Sequence, residues 1–213
     1  MSQSSPIPTL VVMARWPASG RCKRRLAVDI GGDQAATIQQ RLTAHTFAVA
    51  EALSKLGEVD VQVAISGVSL GSAQRALHSL PPCTLVDQGR GSLGARMLRQ
   101  IRKARDGQRN KPVMVIGTDL ADLCQNDLLH AIQKLQNQPL VLGPSADGGY
   151  WLVGLAPALT QRQLDALFTA VPWGSNKVLD ITCARARGLG ITPHQLSMKN
   201  DIDCLADLSS WQR

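Results

Sequence analysis

The sequence predicts an α/β fold with a mostly parallel central sheet flanked by helices, and three observations predict it. Short runs of Val, Ile and Leu alternate with longer segments that carry apolar residues at helical spacing, the pattern of βαβ units. Two of the runs, 113–117 and 140–143, are apolar throughout rather than alternating, as strands covered on both faces require. The composition agrees: 44% of the 213 residues are hydrophobic but only 3% are aromatic, so the interior is built from Val, Leu, Ile and Ala.

Taken in order, residues 9–13 make a first strand, and a loop over 14–25 follows with Pro17, Ser19 and Gly20 as its turn residues. Asp33 or Gly32 caps a helix whose Ile38, Leu42, Val49, Leu53 and Leu56 fall on one stripe, and Gly57 ends it. Residues 59–65 alternate apolar and polar, which predicts a strand with one exposed face near a sheet edge. A helix over 70–80 and a short strand over 84–87 come next. Gly91-Ser92-Leu93-Gly94 opens a helix whose Leu93, Met97, Leu98 and Ile101 face inward. Residues 113–117 form the central strand, 126–136 a helix, 140–143 a strand, and 150–155 another strand after the turn Asp147-Gly148-Gly149. Helices over 160–168 and 175–187 lead to a last strand over 192–196, and Asp203 caps a final helix reaching Trp211. There is no internal repeat, low-complexity run or linker, so a single domain over 1–213, with a core from about 10 to 210, is expected.

Composition narrows the function classes. Five cysteines without a CxxC pair point to neither a disulfide framework nor a zinc site, which favours a reducing cytoplasm. The N-terminal apolar run, 10–14, is too short for a signal peptide or a membrane span. The net charge of +7 is uneven: residues 1–112 hold 16 Lys and Arg against 7 acidic residues, and 113–213 hold 7 against 9. The cluster Arg96, Arg99, Arg102, Lys103, Arg105, Arg109 and Lys111 reads as a solvated helix end. As a nucleic-acid surface it lacks interleaved aromatics, so a basic adaptor ranks low. The histidines, His45, His78, His130 and His194, have no metal-ligand spacing and fit helix surfaces. No GxSxG occurs, and no cysteine has a suggestive partner nearby.

The chemistry concentrates at predicted strand ends. Asp119 follows Ile116-Gly117-Thr118 at the C-terminal end of the central strand, where open α/β sheets bind ligands. Asp147 follows the next apolar run, so both aspartates are candidates for one cleft, although Asp-Gly alone also reads as a hairpin turn. Asp122 and Asp127 fit capping roles. Asp201 and Asp203 are two residues apart and share one side of an extended chain. A hard cation such as Mg²⁺ needs only one or two protein carboxylates when phosphate and water complete its shell, and Asp119 with Asp203 suffices. The loop after the first strand carries Arg15, Arg21, Lys23, Arg24 and Arg25, a cationic lip suited to a polyphosphate, without a P-loop signature.

In order, the segments Arg15-Trp16-Pro17, Gly20 to Ala27, Gln88-Gly89, Leu93-Gly94-Ala95-Arg96-Met97, Ile116-Gly117-Thr118-Asp119, Gly143-Pro144, Asp147-Gly148-Gly149-Tyr150, Pro172-Trp173 and Asp201-Ile202-Asp203 resemble one family. They are similar to the bacterial GT-A-like glycosyltransferases of the selenodomain-associated transferase 1 type, relatives of nucleotide-diphospho-sugar transferases. The resemblance covers residues from about 10 to 210 and implies a single GT-A, Rossmann-like domain that binds a nucleotide and Mg²⁺ or Mn²⁺. It places Asp119 and Asp203 at the metal and gives Lys23 and Arg25 to phosphates. Leu93, Gly94 and Arg96 match a loop beside the nucleotide, Asp147, Gly148, Gly149 and Tyr150 match the segment lining the second substrate's pocket, and Arg15 and Trp173 are further substrate-binding positions. In this sequence Arg15 stands where lysine is usual and Arg24 where threonine is usual.

The resulting expectation is a metal-dependent glycosyltransferase using a nucleotide-diphospho-sugar, with Asp119 and Asp147 catalytic. The alternative is a nucleotidyltransferase that joins an NTP to a phosphorylated compound and releases pyrophosphate. The expected partners are a nucleotide sugar or nucleotide and an acceptor, without membrane span or nucleic acid, and a homo-oligomer is compatible.

Overall fold

The computed structural model describes residues 6–76, 83–107 and 111–210. Leu77 to Leu80 of the expected third helix, His78, Arg109 and Trp211 lie outside the described residues.

Among the described residues seven strands form one sheet: β1 (Thr9–Arg15), β2 (Asp60–Ser66), β3 (Cys83–Asp87), β4 (Val113–Ile116), β5 (Leu140–Pro144), β6 (Tyr150–Leu155) and β7 (His194–Gln195), in the order β3-β2-β1-β4-β6-β5-β7. β6 alone runs antiparallel to its neighbours β4 and β5, while the other pairings are parallel. The chain therefore winds outward from β1 to β3, then crosses back to β4 on the other side of β1. That reversal opens a crevice beyond the carboxyl ends of β1 and β4, the place where open α/β sheets take ligands.

Strand alternation feeds two cores. Leu10, Val12 and Ala14 of β1 pack on the side of Phe47, Ala50 and Leu53 from helix α2 (Gly32–Lys55) and Leu128 from α5 (Gln125–Leu135). Val11 packs on the opposite side with Met97 and Ile101 of α4 (Leu93–Arg105), Leu164 of α6 (Gln161–Phe168) and Ala186 of α7 (Val178–Gly188). Period two in the strand thus becomes two apolar layers. The remaining helices are α1 (Arg24–Ile30) and α3 (Leu70–Ala76), and a 3-10 helix spans Leu205–Ser210. No described helix is long and apolar enough to cross a membrane.

Several expectations need correction. β1 runs two residues further, to Arg15, and the expected loop over 14–25 contains the start of α1, a short helix with only Leu26 buried. α2 is capped by Gly31 rather than by Asp33 or Gly32; its Leu56 is 66% exposed, and Gly57, at φ +74°, turns the chain out of the helix. Strand β2 has no exposed face. Gln62 is buried and its amide donates to Gln100 Oε1 of α4 at 3.3 Å, so a polar residue is satisfied inside a covered strand. Leu93 is 37% exposed rather than inward, and helix α7 starts at Val178 rather than at 175. His194 lies on β7, edge-on to His130 of α5, rather than on a helix. Asp203 does not cap the last helix: the Asp207 carboxylate accepts from the backbone N–H of Asp203 and of Cys204, each at 2.8 Å, and the helix is 3-10.

The basic cluster is only partly a solvated face: Arg99, Arg102 and Lys103 are exposed, yet several of its side chains have partners elsewhere in the fold. Arg99 donates to the carbonyls of Gln88 and Arg90, Arg105 to those of Ala156 and Leu159, and Arg102 and Lys111 pair with Asp165 and Asp60. These side chains staple α4 and the following loop to the rest of the fold.

Candidate active site

The site is assembled where three segments meet. β4 delivers Asp119 past its end through Gly117 and Thr118, and the Thr118 hydroxyl and carbonyl both accept from the Gln39 amide of α2, at 3.1 and 3.4 Å. The antiparallel pair β5–β6 presents Asp147 in its connecting turn, where the carboxylate accepts from Gly149 N–H at 2.9 Å. The Asp-Gly sequence is thus a hairpin turn and also a face of the crevice. The third segment, residues 199–203, is stitched between the other two. Ile202 N–H donates to the Asp119 carbonyl and Ala146 N–H to the Lys199 carbonyl, both at 3.0 Å. Ser145 hydroxyl donates to the Asp201 carboxylate at 2.8 Å.

Two connected spaces result. The first is an open cleft of about 440 Å³ whose lining includes Asp119, Asp147, Asp201, Asp203 and Asp207, with Lys23 and Arg25 as its cations. Lys23, with 4% of its side chain exposed, pairs with Asp119; Arg25 donates to Asp203 at 3.1 Å across an exposed rim. Lys23 also occupies the left-handed region, at φ 45° and ψ 51°, just before α1. A non-glycine residue there costs about 1–2 kcal/mol, so the turn that aims this ammonium inward is held against a backbone preference. The second space is a cavity of about 290 Å³ that shares Asp119, Asp147 and Asp201 but is otherwise walled by Met13, Leu93, Met97, Tyr150, Val153, Trp173 and other apolar groups.

Asp201 lies in both spaces; the sequence pairs it with Asp203 on one side of the chain but gives it no role of its own. Burial pushes its carboxyl up to about 6, and the neighbouring charges of Asp119 and Asp147 push the same way, against the Ser145 hydrogen bond and Lys23. Its signal in the sequence was its two-residue spacing from Asp203 around Ile202, which is 1% exposed: the buried residue between them turns both carboxylates to the cleft.

Of the expected residues, Asp119, Asp147, Asp203, Lys23 and Arg25 meet at the cleft, and Leu93, Gly149, Tyr150 and Trp173 meet in the cavity. Four lie outside both linings. Arg15 donates to the Arg21 carbonyl at 3.0 Å. Arg96 donates to Gln88 Oε1 at 2.8 Å, while the Gln88 amide bridges the carbonyls of Ala14 and Ala64, so this arginine braces the ends of β1 and β2. Burial, with Arg15 and Arg99 nearby, weakens its hold on its proton. Gly94 and Gly148 act by being small. A Cβ on Gly94 would lie 2.2 Å from the Phe168 carbonyl oxygen, and one on Gly148, at φ +86°, 2.1 Å from that of Asn176. Asp127 and Asp122 are structural: Asp127 accepts from Cys124 N–H at the start of α5, and both hold Lys199.

The cleft has the donor chemistry of a hard-cation site, with several carboxylate oxygens converging next to groups that suit phosphate. Among the described residues no group of three or more His, Cys, Asp or Glu side chains is placed to hold a metal ion. One or two carboxylates are enough when a phosphate supplies the other ligands, so the residues fit Mg²⁺ or Mn²⁺ bound together with a nucleotide.

The mostly parallel sheet and the crevice between β1 and β4 define a nucleotide-diphospho-sugar transferase-like α/β fold. The chain belongs to the family described as "Uncharacterized protein conserved in bacteria (DUF2064)", whose profile matches residues 46–175, more than half of it. That span holds Asp119, Asp147 and Trp173 but neither Lys23 nor Asp203. No curated protein matches the sequence. Among solved structures it is similar to one described as a candidate nucleotide-diphospho-sugar transferase from Desulfovibrio desulfuricans G20, with 26% identity, TM-score 0.81, and coverage of 97% of this chain and 86% of the other. It shares its fold with the manganese complex of Rv0371C from Mycobacterium tuberculosis H37Rv, at 18% identity, TM-score 0.56 and 97% and 98% coverage. It also shares it with CMP:2-keto-3-deoxy-manno-octonic acid synthetase complexed with CTP, at 13% identity, TM-score 0.54 and 96% coverage of each chain.

Proposed function

We propose that this protein is a metal-dependent glycosyltransferase that uses a nucleotide-diphospho-sugar donor. The observation that carries the reading is the convergence, from chain positions far apart, of Asp119, Asp147 and the Asp201–Asp203 pair on one cleft that Lys23 and Arg25 enter. Carboxylates for a cation beside cations for phosphate are what a diphosphate leaving group needs, because its charge grows as the bond to the sugar breaks. Asp119 and Asp203 would hold Mg²⁺ or Mn²⁺, which when bound supplies Lewis-acid neutralisation of that charge. Lys23 and Arg25 bind the diphosphate oxygens; in the free protein the same two cations are held by Asp119 and Asp203, which keeps them aimed into the cleft. Asp147 orients the acceptor hydroxyl and takes its proton.

A second reading, nucleotidyl transfer with release of pyrophosphate, draws support from the fold shared with the CTP-bound synthetase. Both chemistries place the same groups at the same phosphates. A turnover panel separates them: release of nucleoside diphosphate from a sugar nucleotide is the expected result, whereas pyrophosphate release from an NTP would replace it with the second reading.

A further inference from the structure

We propose that the apolar cavity is the acceptor site and takes a compact, uncharged hydroxy compound with an apolar body, not a phosphorylated one. This rests on the transferase reading above and adds the substrate's chemistry to it. The two spaces differ in the charge they accept. The cleft has Lys23 and Arg25 for phosphate. The cavity has neither Lys, Arg nor His among the described residues that line it; of its carboxylates Asp119 is paired with Lys23 from the cleft side, which leaves Asp147 and Asp201 without a cation. A phosphate monoester carries about two negative charges near neutral pH. Brought against the carboxylates of Asp147 and Asp201 between apolar walls it is repelled, whereas a hydroxyl donates to them.

The walls select the body. Trp173 stands edge-on to Tyr150, with ring centroids 6.1 Å apart at 84°, and stacks on Phe168 at 6.3 Å and 14°. That braced aromatic wall faces the thioethers of Met13 and Met97, which adapt to the outline of a ligand. The volume, about 290 Å³, lies at the small end of the roughly 300–1,000 Å³ seen for small-molecule sites, so the body is compact.

In the reaction the acceptor oxygen forms its bond to the sugar's anomeric carbon, and the bond from that carbon to the diphosphate breaks. The departing diphosphate takes the bonding pair, and the hydroxyl proton passes to the Asp147 carboxylate. A phosphorylated co-substrate has no cation to meet it in the cavity, so the same observation favours sugar transfer over nucleotidyl transfer to a phosphorylated compound.

The test is an NMR titration with cinnamyl alcohol and with cinnamyl phosphate, each with and without Mg²⁺, on wild type, Trp173→Ala and Ser175→Trp. Ser175 lies on a loop at the cavity wall and is partly exposed, so the bulky substitution blocks the space without entering the core. Circular dichroism confirms that each variant is folded. The alcohol is expected to bind on the order of tenfold or more tighter than the ester in both conditions, and Ser175→Trp is expected to abolish its binding. The proposal is overturned by an ester that shifts the Tyr150 and Met97 resonances of the cavity as strongly as the alcohol does, by an alcohol that does not bind, or by binding that survives both substitutions. Displacement of the alcohol by uridine, cytidine or guanosine also overturns it, because the cavity would then hold a base. Failure of the transferase reading itself is seen separately, as absence of a thermal shift with nucleoside diphosphates and Mg²⁺, since the alcohol titration needs no donor.

Discussion

The cleft and the cavity share Asp119, Asp147 and Asp201, yet they are built in opposite ways. The cavity is an extension of the core: strands β4 and β6 and helices α4 and α7 supply walls, and Gly94 lets Trp173, one of the lining residues, pack closely against α4. The cleft is held by a few hydrogen bonds among loops and by ion pairs spanning the sequence, Lys23 to Asp119 and Arg25 to Asp203. Packing makes shape, and shape is robust; unpacked charge makes a binding site, and it costs stability. Substitutions in the two regions therefore differ in kind, with cavity changes appearing chiefly in the melting curve and cleft changes chiefly in binding and turnover.

The largest effect expected is on chemistry. Asp119→Asn should reduce kcat/KM with a sugar nucleotide on the order of 10³-fold while the variant stays folded by circular dichroism, its melting temperature lowered because the buried Lys23 loses its carboxylate. Wild-type turnover in this variant breaks the division between the regions. Gly148→Ala, in the turn outside both linings, shows the effect of a packing change by itself. A Cβ there meets the Asn176 backbone at a positive φ, so a loss of roughly 2–5 kcal/mol is expected in chemical denaturation.

Asp201 links both regions and gives the pH dependence. Its folded carboxyl, at about 6, lies above the ordinary value of 3.8, so the native state binds its proton more tightly than the unfolded chain. The stabilisation that comes from the protonated form is fully present below pH 3.8 and is lost as pH rises through about 6. Asp201→Asn, which keeps an acceptor for Ser145, should therefore be more stable than wild type at pH 8 by on the order of 1–3 kcal/mol in metal-free buffer. That difference should vanish at about pH 4. Equal stability at both pH values would mean that the charge of Asp201 costs the fold nothing.

The smallest expected effect on stability is at Lys23. Lys23→Gly removes the ion pair and relieves the left-handed backbone, two opposing changes that leave stability within about 1 kcal/mol. Donor affinity should fall roughly tenfold or more, read by calorimetry, as a phosphate loses its cation.

Much of this contrast was legible in the sequence. The apolar runs that became β4 and β5 marked the two strand ends, and the aspartates that follow them face one crevice. What was not legible was non-local. Alternation in 59–65 suggested an exposed face, because nothing local announces that Gln100 comes down on Gln62. The arginines of α4 looked solvated because their carbonyl partners lie elsewhere in the fold, as with Arg105 and Ala156. Asp203 resembled an N-cap because the sequence does not say that Asp207 turns back to take the same backbone N–H groups. Asp201 was seen as the neighbour of Asp203, but its depth was not legible because it is set by Ser145 and Leu120, which reach it from two other segments.

The central claim is that the acidic cleft binds a diphosphate through a divalent cation held by Asp119. Isothermal titration of a panel of nucleoside diphosphates into wild type and Asp119→Asn, with Mn²⁺ and again with EDTA, tests it most directly. The account predicts binding by wild type with Mn²⁺, none with EDTA, and none by the variant in either buffer. Binding of equal strength with EDTA, or by Asp119→Asn, would contradict it.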